Sequence, residues 1–151
     1  MAGRPEMTPG QFKSQGNRAG GTVFVTPEQV EGTLTQSLAL LRSLETPFQR
    51  AVFTMFMVTE IHPFADGNGR TARLMMNAEL SAAGEWRIII PTVYRNNYLV
   101  ALKALSQSNI PEPLIRMLDF AWQWATAIDW RDVETTRRKA RHGTNDQRQQ
   151  S

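Results

Sequence analysis

With 151 residues and a mass of 17.1 kDa, the chain can bury one good hydrophobic core and has too little sequence to require two. An apolar fraction of 41%, including four Trp, seven Phe and seven Met, belongs to a folded protein rather than a disordered one, and the absence of cysteine excludes disulfides and thiol chemistry. The net charge of +3 and pI near 9.8 favour anions, but much of the excess sits in Arg137, Arg138, Lys139, Arg141 and Arg148. That tail reads first as a solvated terminus, with contact to nucleic acid or an acidic partner as the alternative. No apolar stretch approaches the roughly 20 residues of a bilayer span. The opening MAGRPEMTPGQF lacks the apolar core of a secretory signal, so the expectation is a cytoplasmic protein without membrane contact.

Residues 1–21 are rich in Gly, Pro, Gln and Ser and read as an irregular arm. The β-branched and aromatic run 22–26 predicts a strand, one arm of a small hairpin, ended by Pro27. Thr26 is placed to cap a helix that opens with Pro27 and Glu28 and carries Val30, Leu34, Leu38 and Leu41 at helical spacing, stopping near Thr46 and Pro47. From Pro47 to His62 the apolar residues Phe48, Ala51, Val52, Met55, Phe56, Val58 and Ile61 surround most of the helix circumference, the pattern of a central helix. Asn68 is expected to cap the next helix, with Leu74, Met75, Ala78, Leu80 and Ala82 as its apolar residues and Gly84 as its stop. The short segment 87–90 fits a strand or an extended connection. A helix is expected from about Tyr98 to Ser106, after the loop 94–97. A last helix opens at 111–113 with Leu114, Leu118, Ala121, Trp122, Ala125 and Ile128. The expected class is all-α with a small β-hairpin.

The run His62-Pro63-Phe64-Ala65-Asp66-Gly67-Asn68-Gly69-Arg70, followed by Arg73, lies between the two core helices. Gly67 and Gly69 allow backbone conformations that present successive N–H groups, and the following helix directs the positive end of its dipole at the same place. The result is an anion nest suited to phosphate. Arg70 and Arg73, one turn apart, can share a face and hold further phosphates. Asp66 offers the hard oxygen that a phosphate-bound magnesium ion prefers. His62, the only histidine before the tail, has an ordinary pKa of about 6.5 and suits a general base near neutral pH. Singly, a histidine closing a helix is a cap, Asp-Gly-Asn-Gly is a turn and a helical arginine is solvated; together, between two buried helices, they point to Mg-nucleotide chemistry. Phe64 reads as the hydrophobic anchor that pins the loop to the core.

HPFADGNGR matches the HPFx(D/E)GN(G/K)R signature of Fic domains at every fixed position. The resemblance covers residues 9–130, with Gly10-Gln11-Phe12-Lys13 similar to the family's early G-x-F-R, a flap near residues 22–27 and an R-x-x-Y pair at Arg95 and Tyr98. Lys13 stands where the family usually has arginine. Composition marks residues 1–21 as an irregular arm and 137–151 as a basic, disordered tail, and the resemblance makes 22–136 the expected catalytic domain. The resemblance implies transfer of AMP from ATP to a Ser, Thr or Tyr hydroxyl of a target protein, with His62 as base and Asp66 holding Mg²⁺. Gly67, Asn68 and Gly69 would cradle phosphates, and Arg70 and Arg73 would bind the β- and γ-phosphates. Val23, Phe24 and Val25 would clamp the target by adding a strand. Asn97 and Tyr98 would line the adenine or ribose pocket, the other reading for them being helix capping and packing.

Doc-type toxins, which phosphorylate their target, carry lysine at the position of Gly69, so Gly69 favours AMP transfer. Related Fic enzymes that move UMP or phosphocholine share the loop. The inhibitory pattern (S/T)xxxE(G/N) of the family has no match here: Glu31-Gly32 follows Pro27 where Ser or Thr is required. Restraint would then come from a separate antitoxin-like partner, from another part of a longer protein, or not at all; the first is the preferred expectation, for a toxin-like or effector-like enzyme working in the bacterial cytosol or, if secreted, the host cytosol. The alternatives are a nucleotide-binding but catalytically silent module and a regulator acting through its basic tail; nucleic acid is not the expected partner.

Overall fold

The computed structural model describes residues 8–91, 94–128 and 132, so the basic tail and Trp130 lie outside the described residues. A two-stranded antiparallel hairpin comes first, β1 (Arg18–Ala19) and β2 (Thr22–Val23), with Arg18 opposite Val23 and Ala19 opposite Thr22. The strand expected over 22–26 is thus shorter, and its partner lies in the stretch expected to be irregular. The reversal is local: Gly20 turns the chain with φ 58, which glycine adopts without a Cβ clash.

Five helices follow: α1 (Val30–Leu41), α2 (Pro47–Ile61), α3 (Asn68–Ala82), α4 (Arg95–Ser108) and α5 (Glu112–Thr126). Among the described residues the fold is all-α with one small sheet, and no helix is long and apolar enough to cross a membrane. Thr26 precedes a 3-10 turn, Pro27–Gln29, and its hydroxyl turns to the Gln29 side chain (3.3 Å) rather than to a backbone N–H. Thr46, expected as a stop, is also the start of α2 through a capping box: Thr46 Oγ1 accepts from Gln49 N and Gln49 Oε1 accepts from Thr46 N, both at 3.1 Å.

α2 and α3 pack against each other most extensively, with α1 against α2 and α4 against α5. Met55 and Val58 of α2, Met76 and Leu80 of α3, Leu114 and Leu118 of α5 and Val30 of α1 are fully buried at the centre. In α3 the buried stripe is Ala72, Met76 and Leu80; the expected apolar residues Leu74, Met75, Ala78 and Ala82 are exposed, Leu74 by 72%. The reason is register: the spacing of 72, 76 and 80 keeps one face on α2, and residues 74, 75 and 78 fall on the others. α3 stops as expected, with Gly84 at φ 74 and Glu85 N donating to Leu80 O (2.9 Å).

The segment 87–90 has no regular structure. It is held by Asn77 of α3, whose amide accepts from Ile88 N (2.8 Å) and donates to Ile88 O (3.0 Å). α4 begins earlier than expected, so Arg95, Asn96 and Asn97 form its first turn. Removing the α2 cap by Thr46→Ala should cost about 1 kcal/mol, read as a lower urea midpoint with an unchanged slope; a change within error would show that Pro47 and packing alone start α2.

Candidate active site

His62 closes α2 in a left-handed conformation, φ 50 and ψ 57, while its N–H still donates to Val58 O (3.1 Å). A residue with a Cβ adopts this region at a cost, and the proline that follows keeps His62 out of the right-handed helix. The turn swings the imidazole back over the last turn of α2, where Nδ1 lies 2.8 Å from Thr59 O. A carbonyl can only accept, so Nδ1 carries the proton and Nε2 is left with its lone pair. On one face the ring is covered by Phe24, which stacks on it with centroids 3.7 Å apart and planes within 6°. Burial lowers the His62 pKa below its ordinary 6.5; Thr59 O and Glu60 oppose the shift, and the charge of Lys13 adds to it. These effects favour the neutral imidazole.

A strap from the N-terminal segment holds the loop that follows. Lys13 N donates to Pro63 O (2.8 Å), and the Lys13 ammonium, on a residue only 4% exposed, donates to Ile61 O (3.1 Å) and Asn17 Oδ1 (2.8 Å). Asn17 Nδ2 in turn donates to Phe64 O (3.1 Å) and reaches His62 O at 3.5 Å. Four consecutive carbonyls, of residues 61–64, are thus engaged by two side chains and one backbone N–H. Phe64 is half-buried with its ring 6.0 Å from that of Phe12, so its packing partner is the same strap.

The N-cap of α3 is Gly67, at φ 81, not Asn68. Asn68 is the first helical residue, 2% exposed, and its amide accepts from Phe64 N (2.9 Å) and donates to Phe64 O (2.8 Å). Its side chain therefore shapes the loop from inside. The first N–H groups of a helix have no intrahelical acceptor; those of Asn68 and Gly69 precede the bonds from Arg70 N and Thr71 N to Gly67 O. Gly69 is helical, so its freedom of φ is not what the site uses: a Cβ there would meet the Arg73 guanidinium at 3.7 Å. Arg70 lies beside Gly67 and 3.7 Å from Asp66, an exposed pair of small energetic weight.

Tyr98 is buried, its hydroxyl 3.8 Å from Met55 Sδ. Burial raises its pKa, with Thr59 and Arg73 acting in the other direction, so the phenol is neutral and borders both α2 and the Arg73 side chain. Asn97 is exposed on the first turn of α4. Of the hairpin residues, Val23 is 79% exposed, Val25 half-buried and Phe24 buried. Gln107 of α4 donates to Thr22 Oγ1 at 3.3 Å. Sequence reasoning missed Asn17, Thr59 and the stacking of Phe24 on His62. Only Thr59 left a signal, its position three residues before a histidine that ends a helix.

The class that these features define is a helical domain in which a histidine with a free Nε2 stands at one end of a tethered loop and a glycine-capped helix with two exposed arginines at the other. The Fic/DOC family model matches residues 1–80, and the chain belongs to this family. It is 42% identical over 72 residues to the protein adenylyltransferase Fic of Drosophila yakuba, which covers 48% of the chain and 14% of that protein. The Fic domain signaling protein of Bacteroides thetaiotaomicron superposes with a TM-score of 0.65 at 27% identity, over 79% of this chain and 55% of the other. Fic-1 of C. elegans superposes with a TM-score of 0.63, also at 27% identity, over 74% and 34%. The chain thus spans about one seventh of the curated relatives it matches.

Replacing Asn68 by Ala leaves the Phe64 N–H without its partner and the Phe64 C=O with Asn17 alone, which should cost about 1–3 kcal/mol. Urea unfolding of the variant measures this. A loss below about 0.5 kcal/mol would mean that water takes over both bonds.

Proposed function

We propose that this domain transfers AMP from ATP to a hydroxyl of a target protein. The observation that carries the reading is the bond between His62 Nδ1 and Thr59 O, which leaves Nε2 as the proton acceptor beside a phosphate-binding helix start. The name of the Drosophila relatives, protein adenylyltransferase, supports the same chemistry. Nε2 takes the proton of the target hydroxyl, the freed oxygen bonds to the α-phosphorus, and the bond to the bridging oxygen of the β-phosphate breaks as pyrophosphate leaves with its electron pair. The N–H groups of Asn68 and Gly69 and the dipole of α3 lie to the phosphate side, and Arg70 and Arg73 balance charge that builds up on the leaving group.

Asp66 fits a magnesium site of the kind completed by phosphates and water: it is one exposed carboxylate at the start of the phosphate loop, and no cluster of three acidic or histidine ligands stands among the described residues. When bound, Mg²⁺ would offset phosphate charge. Gly69 supports AMP transfer over phosphorylation, because a lysine there would start beside Arg73 and its charge would repel the guanidinium that this reading assigns to the leaving phosphates.

The target docks, in this reading, on the outer edge of β2. The pairing through Thr22 and the bond from Phe24 N to Asn17 O (3.2 Å) turn those groups inward, leaving the Val23 backbone outward for an added strand. Asn97 and Tyr98 flank the nucleotide side through the neighbourhood of Tyr98 and Arg73. An antitoxin-like partner supplies restraint, and a reaction fed by ATP in a chain without cysteine fits a cytosolic setting.

Incubation with Mg²⁺, α-labelled ATP and cell extract should label protein in a His62-dependent way, with His62→Ala lowering the rate by about 10²-fold or more. Equal labelling by both would overturn the role of His62. Arg73→Ala should lower transfer more than nucleotide affinity; equal losses would remove its assignment to the leaving phosphates. Because the His62 pKa is lowered, the rate should rise with pH along an acid limb centred below 6.5. A limb centred above 6.5 would contradict a buried, neutral base.

A further inference from the structure

The hairpin does more than offer an edge. Phe24 lies flat against His62 at 3.7 Å and 6°, and it is only 9% exposed, so its side chain is committed to the imidazole and not to a target. Its backbone is fixed to the same loop: Phe24 N donates to Asn17 O, and the Asn17 side chain donates to Phe64 O. The bond to Thr59 O fixes one ring nitrogen but permits tilting of the ring about that axis. A flat apolar surface across the face removes the tilt.

We propose that Phe24 is a positioning residue for His62, holding the imidazole plane so that Nε2 is directed at the reacting hydroxyl and linking the seating of the hairpin to the readiness of the base. The inference rests on the AMP-transfer reading for its catalytic consequence, but not for its structural one. The charged groups acting on His62 are Lys13 of the strap, which opposes protonation, and Glu60 of α2, which favours it. Both remain in every variant below. Without Phe24, water reaches the ring face and solvates the imidazolium better than a benzene face does, so proton affinity rises.

The test uses ¹⁵N NMR of the imidazole nitrogens in the full chain, with His62→Ala to assign the signal apart from His142. In the wild type the neutral ring is expected as the Nδ1–H form with a midpoint below 6.5. In Phe24→Ala the midpoint should move towards 6.5 with some Nε2–H form appearing, and kcat for AMP transfer should fall about tenfold while nucleotide affinity stays within about twofold. Phe24→Tyr should keep wild-type titration and rate. Phe24→Leu keeps bulk without a flat face and decides the matter if the alanine variant does not fold; it should shift in the same direction as alanine. A wild-type midpoint, tautomer and kcat in Phe24→Leu would overturn the proposal, since Phe24 would then be filler only. Absence of transfer in the wild type would refute the AMP reading, and the NMR titration would still decide the stack.

Discussion

At His62 the chain leaves α2 in a left-handed conformation that costs a residue bearing a side chain roughly 1–3 kcal/mol. Everything at the site depends on that turn. It ends α2 without a glycine, carries the imidazole back over the Thr59 carbonyl, and sends the loop out at the angle that lets α3 return along α2. Proline at position 63 disfavours continuing α2 through the right-handed alternative. The remaining cost is met by tethers: Lys13, Asn17 and Asn68 engage the backbone of residues 61–64 from two sides.

These tethers place two polar side chains, Lys13 and Asn68, almost out of water. Buried polar groups of this kind persist when each has its partners, and here every partner is a loop carbonyl, a loop N–H or Asn17. The lysine ammonium is held against two carbonyl oxygens, Ile61 O and Asn17 Oδ1; burial lowers its pKa, and its charge in turn lowers that of His62. The strap thus acts on the base electrically as well as by shape. The groups that face outward are the guanidinium groups of Arg70 and Arg73 on the first turns of α3.

The division between inward and outward residues explains the mismatches between expectation and structure. Asn68 is a good cap by residue type, yet its amide turns inward because the Phe64 N–H would otherwise be unpaired, and Gly67 takes the cap with a φ that only glycine adopts freely. Leu74 and Met75 are apolar but lie off the face that α2 covers. Asn97 belongs to the first turn of α4 rather than to a loop, because helix starts are poorly marked where no capping side chain is present.

Local chemistry determined a good deal of this protein. The turn signals, the capping box at Thr46 and the helical spacing of apolar residues specify α2 and α5, turn signals bound α3, and the dense run from His62 to Arg70 marks a candidate site of proton-accepting and cationic residue types, because each of those types has a short-range reason to be there. Tertiary structure alone decided which tautomer His62 holds, that Phe24 covers it, that Lys13 and Asn17 clamp the loop, and that the side chain of Asn68 faces inward. Those are contacts between segments up to 48 positions apart, and spacing along a chain carries no record of which distant surfaces meet.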